Sequence, residues 1–234
     1  MSGWANKRVW TETSVEAVDD GFRVLLDGRG VKTPGKSPLV VPTAVMAAAV
    51  AKEFDAQEDV IDPTTMPWTR SANSAIEKVA TQRAEVQAYL IGYADTDLLC
   101  YRAERPDGLI ARQAEGWDPI LAWLAETHDA KLAITAGIMP TAQAPDVLAR
   151  LARTMEPMSH FAMTGFHDMV TLTGSYTLGL ALADGRLQPD EAWRLSRIDE
   201  MWQIEQWGDD EEAAEHAEIK RSALVHATEF FFAA

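Results

Sequence analysis

GFRVLLDGRGVKTP, residues Gly21–Pro34, decides the fold class. Phe22, Val24 and Leu26 alternate with Arg23 and Leu25, the two-residue period of a strand with one buried face. Asp27-Gly28 then supplies a turn that tolerates positive φ, and Val31 and Thr33 follow, so the stretch predicts a β-hairpin. Pro34-Gly35 is a second turn, and Leu39 to Val41 is a short strand stopped by Pro42.

Outward from the hairpin the period changes from two to about 3.6. Thr43 is placed to N-cap an alanine-rich helix running to about Gln57. Asp62 to Pro67 (DPTTMP) reads as a loop, and a helix follows from Ser71 to about Tyr93 with a break near Thr81. Leu98 to Tyr101 is a short apolar run, read as a strand. Pro106 and Asp107 open an amphipathic helix to about Thr127, in which Pro119 marks a kink or a new start. Residues 129–145 form a connection. Helices follow at 146–155, 160–183 and from Pro189 to Trp207, where Gly208 ends the helix; Asp209 then caps a last helix to about Phe231. The pattern predicts an α+β protein. A small N-terminal domain with β-hairpins and a helix, residues 1–65, precedes a larger all-helical C-terminal domain, 66–234, with the boundary between 60 and 105.

The 234 residues are long enough to bury a sizeable core, and 47% hydrophobic against 24% charged is ordinary globular composition. The net charge of −15 argues against nucleic acid and anionic membrane surfaces as partners, because both need clustered Lys and Arg. Cys100 is the single cysteine, which excludes an internal disulfide and any multi-cysteine metal site. Met1 to Trp10 lacks the apolar core of a secretory signal, and the most apolar window, Phe161 to Ala183, holds His167 and Asp168. No membrane insertion and a reducing compartment are therefore expected.

Catalytic signatures are sparse. The sequence has no phosphate loop, no GxGxxG and no GxSxG, and Asp27-Gly28-Arg29-Gly30 joins two strands instead of leading into a helix. None of the five histidines has a Glu three residues before it, so a di-iron Glu-x-x-His pair is absent. His160, His167 and Asp168 read as partly buried, hydrogen-bonded groups, and Cys100 in the run LLCY as a buried inert thiol. No metal and no cofactor are implied. Phe230-Phe231-Phe232 is either an end docked into the core or an apolar contact for a partner.

One segment stands apart. Between Asp190 and Glu218 there are eleven acidic residues against Arg194 and Arg197, a net charge of −9. A solvated helix face with a carboxylate-rich helix start accounts for some of this. The acids are nevertheless interleaved with Trp193, Trp202 and Trp207, and aromatic residues are enriched at protein interfaces. Trp202 lies one helical turn from both Asp199 and Glu205. An acidic surface with aromatic anchors suits a basic protein partner.

Four stretches occur in order with compatible spacing: FDAQEDVIDPTTMP from Phe54, YADTDLLCYR (Tyr93–Arg102), EGWDPILAW (Glu115–Trp123) and LSRIDEMWQIEQWG (Leu195–Gly208). Together, along nearly the whole chain, they resemble the assembly-chaperone family that binds the α subunit of the F-type ATP synthase catalytic sector, found in mitochondria and alphaproteobacteria. The resemblance implies a non-enzymatic, ATP-independent function. Members hold the newly made α subunit and cover the surface that the β subunit later occupies. It also implies a small N-terminal α+β domain and a helical C-terminal domain. A functionally important acidic residue is implied in the segment matching LSRIDEMWQIEQWG and the residues just C-terminal to it. Glu200 is the first choice, with Asp199, Glu205, Glu211 and Glu212 as competitors and Trp202 and Trp207 as aromatic anchors. Mitochondrial members work in the matrix; without a visible transit peptide, this chain is expected in the bacterial cytoplasm, as a monomer when free. Two other readings stay open: a helical hydrolase or metal enzyme using carboxylates of residues 199–212 with His216, and an acidic adaptor for another basic protein.

Overall fold

The structure, a computed structural model, describes residues 7–137, 139, 141–208 and 210–234. Part of the Met1–Trp10 stretch and the expected cap Asp209 therefore lie outside the described residues. The chain forms two compact units. The first comprises residues 1–83 with 159–165 and 229–234, and the second comprises residues 84–158 and 166–228.

In the first unit, β1 (Thr13–Val18) pairs antiparallel with β2 (Gly21–Leu26). The central strand β2 also pairs with β3 (Arg29–Gly30) and β4 (Val40–Val41). The turn at Asp27-Gly28 has φ of 47° and 74°, both in the left-handed region that this hairpin requires. The hairpin reading holds, with Val24 and Val41 fully buried. The sequence reading names no separate strand before Gly21, because TSVEAV buries no residue fully and its Val15 stays 40% exposed. Helix α1 (Ala44–Asp55) begins at the expected cap, with the Thr43 hydroxyl accepting the Met46 N–H at 3.3 Å. It packs Met46, Val50 and Phe54 into a core with Trp10, Val24 and Leu39.

Side chains shape the FDAQEDVIDPTTMP stretch and the helix start after it, among them the buried Gln57, which accepts the Asp62 N–H at 2.7 Å. Asp62 accepts the Thr64 N–H at 2.9 Å and caps a 3-10 turn, Pro63–Thr65. Glu53, on α1, accepts the N–H groups of Trp68 and Thr69 at 2.7 and 2.8 Å. A carboxylate there satisfies the open amides of α2 (Pro67–Ser74), so the helix starts at Pro67, earlier than the expected Ser71. It continues through a π-turn, Ala75–Val79. Phe161 and Phe230 share this unit's core, where Trp68 lies 5.6 Å from Phe230. Of the terminal phenylalanines, Phe230 is buried and Phe232 is exposed.

The larger unit follows the break expected near Thr81. Helix α3 (Arg83–Asp95) leads to Leu98–Cys100, which is a 3-10 turn and not a strand. Asp97 makes it so: its carboxylate accepts the Leu99 N–H at 3.0 Å and caps the turn. Strand β5 (Tyr101–Arg102) comes next, then α4 (Asp107–His128), which runs unbroken through Pro119. Within the expected connection, β6 (Thr135–Ala136) pairs parallel with β5, so the C-terminal part is helical apart from this short ladder. Helices α5 (Pro145–Arg153), α6 (His160–Thr173) and α7 (Tyr176–Ala183) follow. One helix was expected over 160–183. Gly174, with φ of 69°, divides it, and Ser175 caps α7 through the Leu178 N–H at 3.0 Å. Similarly, the helix expected from Pro189 to Trp207 is two, α8 (Pro189–Ser196) and α9 (Ile198–Trp207), broken at Arg197, where φ is −117° and ψ is 20°. Helix α10 (Glu211–Ala233) closes the chain, and Asp210 accepts the Glu212 N–H at 3.0 Å at its start.

Candidate functional site

The two faces of α9 carry different residues. Asp199, Trp202 and Glu205 recur every three positions and lie against α4. The Asp199 carboxylate accepts the side-chain amide of Gln113, a residue only 1% exposed, at 2.6 Å. Glu205 takes two hydrogen bonds from Arg112, at 2.8 and 2.9 Å, and the guanidinium holds the Glu205 carboxyl below its ordinary range. Arg112 also lies over the Trp202 ring, 5.0 Å from its centroid. The same ring is so close to Gly108 that a Cβ there would stand 2.7 Å from Trp202 Cη2. Trp117 ties α4 to the preceding helix, α8, by donating its indole N–H to the Leu195 carbonyl at 2.8 Å. Thus Asp199, Trp202 and Glu205 are engaged within the molecule.

Glu200 and Trp207 sit on the other face and line a cleft of about 720 Å³. Its walls come from the C-terminal end of α6, the α8–α9 junction and the first half of α10. Arg197 lies over the Trp193 ring at 5.2 Å and donates to Glu200 at 2.5 Å, with the Glu200 side chain 64% exposed. Trp207 is 79% exposed. Asp210, His216 and Lys220 line the same cleft. Glu211 and Glu212 lie in the exposed first turn of α10 and do not line it.

Sequence reasoning missed Arg197, His216 and Lys220 as cleft residues. The three-residue spacing from Arg197 to Glu200 was a usable signal for one of them. His216 was named only in the hydrolase reading. That reading finds Glu200, Asp210 and His216 on one cleft. Among the described residues, no group of three or more His, Cys, Asp or Glu side chains is arranged to hold a metal ion. Burial pushes the Cys100 thiol up to about 12, far from a reactive thiolate. His167 pairs with Asp168 at 2.9 Å and stacks on Tyr89, while burial lowers His160. Among the described residues no helix is long and apolar enough to cross a membrane.

The family model described as "ATP12 chaperone protein" matches residues 7–125. The chain is similar to Atp12 from Paracoccus denitrificans, whose crystal structure superposes with a TM-score of 0.93 at 47% identity, covering 97% of each chain. An aspartate-to-lysine mutant of that bacterial protein matches with the same TM-score at 46% identity, again over 97% of each chain. The mitochondrial protein atp12 of Schizosaccharomyces pombe is 25% identical over 225 residues, 89% of this chain and 76% of the relative. A family model spanning half of the sequence and a solved relative at 47% identity over 97% of the chain lead to one conclusion: the chain belongs to the ATP12 chaperone family.

Proposed function

We propose that the chain is an ATP-independent assembly chaperone that binds the unassembled α subunit of the F-type ATP synthase. It shields the α subunit's interface surface until the β subunit replaces it. The observation that carries this reading is the cleft of the larger unit, where Glu200 and an exposed Trp207 stand in a segment of net charge −9, in a member of the ATP12 chaperone family. An unassembled subunit exposes an apolar face that drives aggregation, and a holdase covers it with a complementary, displaceable surface. Charge complementarity gives such a surface on-rate and specificity in place of extreme affinity. Release by competition with a tighter-binding subunit follows from mass action and needs no nucleotide. Partner contacts are assigned to Glu200, Trp207, Glu211 and Glu212, with Asp199, Trp202 and Glu205 acting through the α4–α9 seam. The role is non-catalytic, and the greater identity to a bacterial than to a mitochondrial relative favours the bacterial cytoplasm.

The test is capture from the cell's own extract with the tagged chain, followed by mass spectrometry of what is retained. Enrichment of the α subunit over the β subunit is the expected result. Retention of other basic proteins without the α subunit supports the acidic-adaptor reading and ends this one.

A further inference from the structure

Three arginines of the larger unit show what its tryptophan–carboxylate pairs bind. Arg102 lies 5.2 Å from the Trp117 centroid and donates to Asp118 at 2.7 Å. Arg112 lies over Trp202 and pairs with Glu205. Arg197 lies over Trp193 and pairs with Glu200. In each case the indole face attracts the flat cation while a carboxylate fixes its N–H groups, so the two contacts select a guanidinium over a neutral group.

Trp207 departs from this pattern. It shares the cleft with the carboxylates of Glu200 and Asp210, yet among the described residues no arginine lies over its ring, and it is 79% exposed. The cleft's own arginine, Arg197, is committed to Trp193 and Glu200. Lys220 and His216 line the cleft without an ion pair to any described residue. Apolar surface continues beside Trp207 through Ile204, Leu172 and Ala213. The surrounding segment, 190–218, carries a net charge of −9, which favours a cationic visitor.

We propose that Trp207 is a fourth platform of the same kind, and that it receives an arginine from a client segment seated in the cleft, with that segment's apolar residues against Ile204, Leu172 and Ala213. This rests on the reading of the cleft as a client-binding surface and names the chemistry of what it takes.

The test uses the full chain and two capped peptides of sequence Leu-Arg-Leu-Leu and Leu-citrulline-Leu-Leu. Citrulline keeps the shape of arginine and removes the charge. Binding is read by titration calorimetry for every chain and, in the parent, also from the indole N–H resonance of Trp207 in a proton–nitrogen correlation spectrum, assigned by its loss in Trp207→Ala. The arginine peptide is expected to shift that resonance saturably and to bind about tenfold more tightly than the citrulline peptide. Trp207→Ala is expected to lose that preference, Trp207→Phe to retain part of it, and Val45→Ala to behave as the unmodified chain. Because Trp207 is so exposed, thermal unfolding of these variants should coincide with that of the parent. Equal shifts by both peptides, no shift at millimolar peptide, or undiminished preference in Trp207→Ala overturns the proposal. The assay contains no ATP synthase subunit, so its failure leaves the α-subunit reading standing. A chain that binds the arginine peptide but never retains the α subunit contradicts only that reading.

Discussion

Asp97 is fully buried and takes four hydrogen bonds, from the Ser175 hydroxyl, the Thr177 N–H and hydroxyl, and the Leu99 N–H, at 2.7 to 3.0 Å. Only a carboxylate accepts at both oxygens, so this one residue sets the 3-10 turn after α3 and the start of α7. Asp97→Asn places an amide N–H group against donors and leaves buried donors unpaired. The expected loss is about 1–3 kcal/mol, read as a lower urea midpoint at unchanged slope. Asp27 works at the surface. The N–H groups of Glu12 and Thr11 hold its carboxyl below the ordinary value of 3.8. A folded pKa below the unfolded one stabilises the fold above the unfolded value, and that contribution is lost as pH falls through the folded value. The stability difference between the parent and Asp27→Asn should therefore be present at neutral pH and close below pH 3.8. A difference independent of pH would contradict the assignment.

At the scale of elements, α9 is a two-faced helix, and this separates residues that stabilise the fold from those of the proposed client contact. Asp199→Ala strands the amide of Gln113, buried to 1% exposure, and should cost about 1–3 kcal/mol by chemical denaturation. Glu200→Ala removes a 64% exposed side chain from the cleft and should leave the denaturation midpoint unchanged while weakening client retention. The sequence carried the periodicity that made α9 a helix and the spacing that grouped Asp199, Trp202 and Glu205. It did not tell which face meets α4, because that is settled by Gly108, Gly116 and Gln113, some ninety residues away. Local chemistry was legible for the same reason: the Asp27-Gly28 turn, the Thr43 cap and the Gly208 stop each depend on adjacent residues. The helix breaks at Gly174 and Arg197 were not, since apolar periodicity continues across both and the buried Asp97 contact that fixes the start of α7 is long-range.

Across the whole molecule the charge is concentrated: −9 of the net −15 falls in residues 190–218. Exposed charges act over roughly 10 Å at moderate salt, so the association rate with a basic client surface should fall as ionic strength rises, with a smaller change in the dissociation rate. Stopped-flow or surface-binding kinetics at several salt concentrations would read this directly. The central claim is that the acidic, tryptophan-bearing cleft protects the ATP synthase α subunit. Light scattering from isolated α subunit, with and without equimolar chain, tests it. The parent chain should suppress aggregation, Glu200→Lys should require roughly tenfold more protein for the same effect, and added β subunit should release the α subunit without ATP. Scattering by the α subunit that is the same with and without the chain would contradict the account.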